Sequence, residues 1–255
     1  MYCYKLLISY DGTAYRGWQV QSNAVTIQEL LQNVLKTLLH REKVKLSGSG
    51  RTDTGVHALG QVAHFQHDQK LDLNRILFSI NGMLPQDIRV KSIEYVPLDF
   101  HARYWAIGKE YHYHLHLGRV VDPFRRLYSW HITQKADIDL MNRAARLFEG
   151  THDFTSFANE GYAGAVSRDP IRTLHHLKVR ESQGGVCLEF YGNGFLYKMV
   201  RNIVGALVKV ATSKLQLEDI PVIFDLKDRC KAPYTAPCHG LFLMRVDYPK
   251  ESRDS

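Results

Sequence analysis

Asp53 stands in the string SGSGRTDTGVHALG, residues 47 to 60, two residues after Arg51 and four before His57, framed by Gly48, Gly50 and Gly55. Glycines allow backbone conformations closed to other residues and let a ligand come close. A carboxylate in such a turn can attack an electrophilic carbon or remove a proton, provided it stays ionised. In a poorly hydrated pocket it tends to take up a proton, and a nearby guanidinium opposes this by roughly one to three pKa units. Arg51 is placed in sequence to do so. The same residue types also make an ordinary turn, with Asp53 bonded to its own backbone and Arg51 solvated. No second acidic residue accompanies Asp53 in the motif, so the paired carboxylates of a glycosidase are not indicated.

Two further residues carry chemical interest. Tyr111 opens the alternation YHYHLH (111–116), and its ring could stack on a base or form the buried face of a strand. Arg201 lies within FLYKMVRNIVGAL (195–207), a mostly apolar helical run in which an arginine is costly unless paired; Asp53 is the obvious partner, and snorkelling to the surface is the alternative. Lys198 falls one turn earlier on the same face. His112, His114 and His116 share a strand face at a spacing that can bind metal, but no clustered cysteines or carboxylates complete a ligand set, so no metal site is read here. His57 is a candidate for orienting the Asp53 turn. Arg16, Arg103, Lys109, Arg119, Arg125 and Arg126 are candidates for phosphate contacts, and Trp18 reads as packing for the N-terminal loop.

The elements that must position these groups follow from periodicity. Residues 2 to 10 read as a strand, and TIQE at 26 to 29 reads as a capping box opening a helix with Ile27, Leu30, Leu31, Val34, Leu35 and Leu38 on its apolar face. Strands near 44 to 49 and 61 to 67 flank the Asp53 turn, a helix covers 73 to 83, and a strand 88 to 96. That order is a split βαβ unit. The second half repeats the plan, with strands near 110–117, 126–132, 173–181 and 186–191 and helices near 137–148, 195–212 and 216–227. LFLMRV at 241 to 246 closes the sheet. The expected fold is α+β: two similar split βαβ halves, 1–104 carrying the Asp53 loop and 105–255 carrying Tyr111 and Arg201. They are expected to join around a central, mostly antiparallel sheet with a cleft at the junction.

The 255 residues, 45% of them hydrophobic, suffice for a sizeable core. A formal charge of +7 favours a polyanionic partner. Cys3, Cys187, Cys230 and Cys238 lie far apart without a C-x-x-C pair, which speaks against a disulfide framework and for a reducing cytoplasm. No run of about 20 apolar residues suggests a membrane span.

GRTDTGVHALGQVAHF resembles the signature of the tRNA pseudouridine synthase A (TruA) family. The opening YDGTAYRGWQVQ resembles the family's first motif, and NGMLPQDIRV, DFHARYWAIGKEYHY, GTHDFTSFA, RTLHHL, FLYKMVRNIVGAL and APCHGLFLMRVDYP resemble later ones, in order, along nearly the whole chain. Thr54 stands where alanine is common, Gly108 interrupts a segment usually basic, and Cys238 and His239 replace less reactive residues. The resemblance implies isomerisation of uridine to pseudouridine at positions 38 to 40 of the tRNA anticodon arm, without cofactor or metal. It assigns the catalytic role to Asp53, stacking on the flipped uracil to Tyr111, and support of Asp53 and the flipped nucleotide to Arg51 and Arg201. It further implies a cytoplasmic homodimer that binds one tRNA across both subunits. A noncatalytic RNA-binding protein is the rival reading, and it predicts tolerance of Asp53→Asn; a nucleoside hydrolase would need an activated water and a metal or second carboxylate.

Overall fold

The computed structural model describes residues 1–159 and 169–249. Two compact units divide the chain: Met1–Ile107 with the segment from Phe242, and Gly108–Leu241. Both are mixed α+β with mostly antiparallel strands, as expected.

In the first unit the order is β1 (Tyr2–Tyr10), α1 (Ile27–Leu38), β2 (Ser47–Gly48), β3 (His57–His67), α2 (Leu73–Met83), β4 (Ile88–Val96), with β10 (Leu241–Asp247) added from the far end of the chain. β1 is an interior strand, antiparallel to β3 and β4, and β10 runs parallel to β3 with Phe242 opposite His57. Tyr4, Leu6, Ile8 and Tyr10 of β1 are buried, Tyr4 stacking on Phe65 of β3 at 5.0 Å. Cys3 points to the opposite face, where it joins Val62, Phe100 and Ala102. Both faces of β1 are thus covered.

The start of α1 departs from expectation. Thr26 has the extended backbone of an N-cap, but its hydroxyl makes no capping bond and is buried without a partner. The amides of Ile27 and Gln28 donate instead to the carbonyls of Gly17 and Trp18 at 3.2 and 3.0 Å. The preceding loop therefore satisfies donors that a capping side chain would otherwise take, and the helix start is tied to the YDGTAYRGW segment.

The second unit comprises β5 (Gly108–His116), β6 (Trp130–His131), α3 (Ile138–Arg146), β7 (Gly150–Asp153), β8 (Ile171–Ser182), β9 (Gly185–Gly192), α4 (Met199–Ala211) and α5 (Asp219–Leu226). β9 pairs antiparallel with β5 and β8, β7 with β8, and β6 lies parallel to β5. α4 is buried over nearly its whole length, Ile203, Val204 and Leu207 being inaccessible. It starts at Met199 rather than near 195, because Lys198 adopts a left-handed conformation (φ 59°) that ends the irregular FLY segment before it.

His64, in β3, gives the fold an acid sensitivity. Its Nδ1 accepts from the Ala102 amide at 3.2 Å, and burial, aided by the neighbouring His101 and Lys45, pulls the imidazole down from 6.5 to about 4. The unfolded chain takes up this proton near 6.5, the folded chain only near 4. Stability from this residue is therefore lost as pH falls through that interval and is unaffected by it at neutral pH. Melting temperatures measured from pH 7 to 4 should decline less steeply for His64→Gln than for the wild type.

Candidate active site

The Asp53 loop is a turn closed by the main chain. The Val56 amide donates to Asp53 O at 3.1 Å, and the third residue of this turn, Gly55, has φ 74°, the region glycine supplies without strain. Val56 is buried, Asp53 half-exposed. Two other glycines hold the loop from outside. A Cβ at Gly12 would lie 2.0 Å from Val56 O, and one at Gly17, whose φ is 85°, would lie 2.5 Å from Thr52 O. The first motif is thus pressed directly against residues 52 to 56, its amides and carbonyls interleaved with theirs: Trp18 N donates to Thr52 O, and Gly55 N to Tyr15 O.

Side chains complete the clamp. Tyr10 Oη and Thr52 Oγ1 are 2.8 Å apart, and burial pushes the Tyr10 phenol up to about 12, so it remains a neutral hydrogen-bonding group. Fully buried Gln61 accepts from Ser49 Oγ at 2.6 Å and from the Val62 amide, and donates to Gly50 O at 3.1 Å. The Trp18 indole lies against Gly48, so tightly that a Cβ there would approach it to 2.6 Å, in agreement with a packing role. His57 is buried; its Nδ1 accepts from the Gly12 amide at 3.1 Å and its ring stacks on Phe242 at 4.6 Å. It orients the first motif, which in turn braces the Asp53 loop.

Arg51 shares this loop but is exposed, and its Nε donates to Gln19 Oε1 at 3.2 Å. Tyr111 and Arg201 belong to the second unit. Tyr111 lies in β5 opposite Phe190, is 8% exposed, and receives the ring of Phe195 edge-on at 5.0 Å. Phe195 belongs to the segment that leads into α4. Arg201 occupies the first turn of α4, half-buried, its Nε donating to Ala236 O at 2.8 Å. Among the described residues no group of three or more His, Cys, Asp or Glu side chains is placed to hold a metal. His112 is instead 2.8 Å from Glu110.

Sequence reasoning did not find Gly12, Gly17, Tyr10 and Gln61 as supports of the loop. The two glycines of YDGTAYRGW, five residues apart, were the available signal.

The family described as tRNA pseudouridine synthase matches residues 6–105 and 144–249. The chain is 56% identical over 252 residues to tRNA pseudouridine synthase A 1 of Protochlamydia amoebophila, covering 99% of this chain and 98% of that protein. It is 44% identical over 246 residues to tRNA pseudouridine synthase A of Exiguobacterium sp., and 43% over 244 residues to that of Acetivibrio thermocellus, covering in each case 96% of this chain and 98% of the relative. Among solved structures, an H/ACA RNP bound to a substrate RNA aligns at a TM-score of 0.36 and 13% identity, over 80% of this chain and 44% of that one, a likeness too remote to inform the site. The chain belongs to the tRNA pseudouridine synthase family. It is an isomerase that forms pseudouridine in tRNA. No helix among the described residues is long and apolar enough to cross a membrane.

Proposed function

We propose that this enzyme isomerises uridines at positions 38 to 40 of the tRNA anticodon arm, with Asp53 as the catalytic carboxylate. The observation that carries the reading is the braced Asp53 loop: main chain, two close-packed glycines and the Tyr10, Thr52 and Gln61 contacts hold the backbone that carries a half-exposed Asp53. Pseudouridine formation exchanges the N1–C1′ bond of a uridine for a C5–C1′ bond, releasing the C5 proton while N1 takes one up, with no redox change and no net water. A single carboxylate can initiate it, by covalent attack or by removing the 2′ proton.

The remaining roles follow from side-chain chemistry. Tyr111 stacks on the extruded uracil, an interaction worth about 1 to 3 kcal/mol per base. Arg201 and exposed Arg51 bind the flipped nucleotide and favour the ionised form of Asp53. Extrusion costs a few kcal/mol and least where stacking is weak, which suits positions beside the anticodon loop. The enzyme acts as a cytoplasmic homodimer, needs neither metal nor cofactor, and its excess of basic residues attracts the tRNA backbone. Chemical mapping of pseudouridine in unmodified tRNA carrying uridine at 38, 39 and 40 tests the assignment: modification confined to those positions is expected, and modification elsewhere in the tRNA with all three left untouched would refute it.

A further inference from the structure

Arg229 lies half-buried in the second unit, and each of its five N–H groups donates to a neutral oxygen. Nε reaches Asn159 Oδ1 at 3.3 Å. One terminal nitrogen reaches the carbonyls of Ala232 and Pro233 at 3.2 and 3.0 Å, the other Asn202 Oδ1 and Thr235 Oγ1 at 2.9 and 3.0 Å. A guanidinium has five donors in a fixed fork, so this set uses it completely. Burial lowers its pKa, so the site holds the cation against a desolvation cost.

The acceptors share one feature: most lie on, or grip, residues 232–237. Asn202 is inaccessible to solvent and its amide is saturated, donating to Phe157 O and Asn159 Oδ1 and accepting from Arg229 and from Thr235 Oγ1 at 2.7 Å. Tyr234 O presses on α4 so closely that a Cβ at Gly205 would approach it to 2.0 Å. Pro237 O accepts from Tyr113 Oη at 2.8 Å. Between these anchors sits Ala236, whose amide donates to Arg201 O at 3.0 Å and whose carbonyl accepts from Arg201 Nε at 2.8 Å.

We infer that Arg229 is a positioning residue for the isomerisation: through Ala232, Pro233 and Thr235 it fixes the strap 232–237, so that Ala236 holds the Arg201 guanidinium in its working orientation. The inference rests on the role given to Arg201 above. Neither Arg229 nor Asn202 need touch the uridine.

A double-mutant cycle of Arg229→Met and Arg201→Ala tests it, with kcat and tRNA Kd measured well below the lowest melting temperature of the four proteins. Arg229→Met should lower kcat roughly tenfold with Kd changed less than about twofold, and should cost nothing more in the Arg201→Ala background. Arg229→Lys should not rescue, since an ammonium cannot span these acceptors. The same factor lost in both backgrounds overturns the link while leaving Arg201's role standing, as does a loss confined to Kd. An Arg201→Ala enzyme of full activity removes that role and the link with it. If Arg229→Met does not fold, isosteric Thr235→Val takes its place, with the same nonadditivity expected and additivity again decisive against the link.

Discussion

Asp53→Asn should abolish pseudouridine formation while leaving the fold and tRNA binding in place. The substitution keeps the size of the side chain and removes its charge, so the turn closed between Asp53 O and Val56 N, and the bracing by Gly12, Gly17 and Tyr10, are untouched. What disappears is the only group assigned to open the glycosidic bond. Losing a group of that kind typically lowers kcat by about four orders of magnitude or more, because the other residues can then only bind and orient. Single-turnover assays with tRNA in hand, run beside filter binding and thermal melting, separate the three readouts. A noncatalytic RNA-binding protein would tolerate the change in every one of them.

Gly17→Ala should be nearly as damaging to activity, for a mechanical reason. The new methyl would sit 2.5 Å from Thr52 O and 3.0 Å from the Asp53 carbonyl carbon, on a backbone whose φ of 85° already disfavours any side chain. The strain of the left-handed conformation and the overpacking add up to roughly 2 to 5 kcal/mol. Relief by movement displaces the Asp53 loop, and it also disturbs Gly17 O, which accepts from the first amide of α1. Both melting temperature and kcat should therefore fall. Gly82→Ala in α2 is the internal control: a Cβ there meets nothing within 4 Å, so it should leave activity alone and stabilise by about 0.5 to 1 kcal/mol. Equal behaviour of the two alanine variants would mean that the close approach at Gly17 does not constrain the loop.

Much of this was legible in the sequence because the strongest signals are local. The apolar period of α1 appears where expected, with Ile27, Leu31, Val34 and Leu35 buried, and β1, β3, β4, β8 and β9 follow their apolar patterns. Signals that depend on tertiary partners were misread. The capping box at Thr26 is not used, because carbonyls of the preceding loop reach the helix amides first. Strands read near 44–49 and 126–132 shrink to Ser47–Gly48 and Trp130–His131, since β propensity marks residues suited to a sheet but not where a neighbouring strand ends. β7, whose GTHD sequence has little such propensity, exists through its pairing with β8. The same division runs through the site. Asp53, flanked by glycines and a cation, announced itself, whereas Gly17 is defined by its approach to Thr52, and Arg229 by acceptors from three separate stretches of chain.

Release of tritium from C5-labelled uridine in unmodified tRNA tests the central claim most directly, because rejoining the base to the ribose through C5 displaces the hydrogen there. The wild-type enzyme should release one tritium for each pseudouridine formed, and Asp53→Asn, folded and still binding tRNA, should release none. Tight binding of tRNA by the wild type without release, or undiminished release by Asp53→Asn, would contradict it.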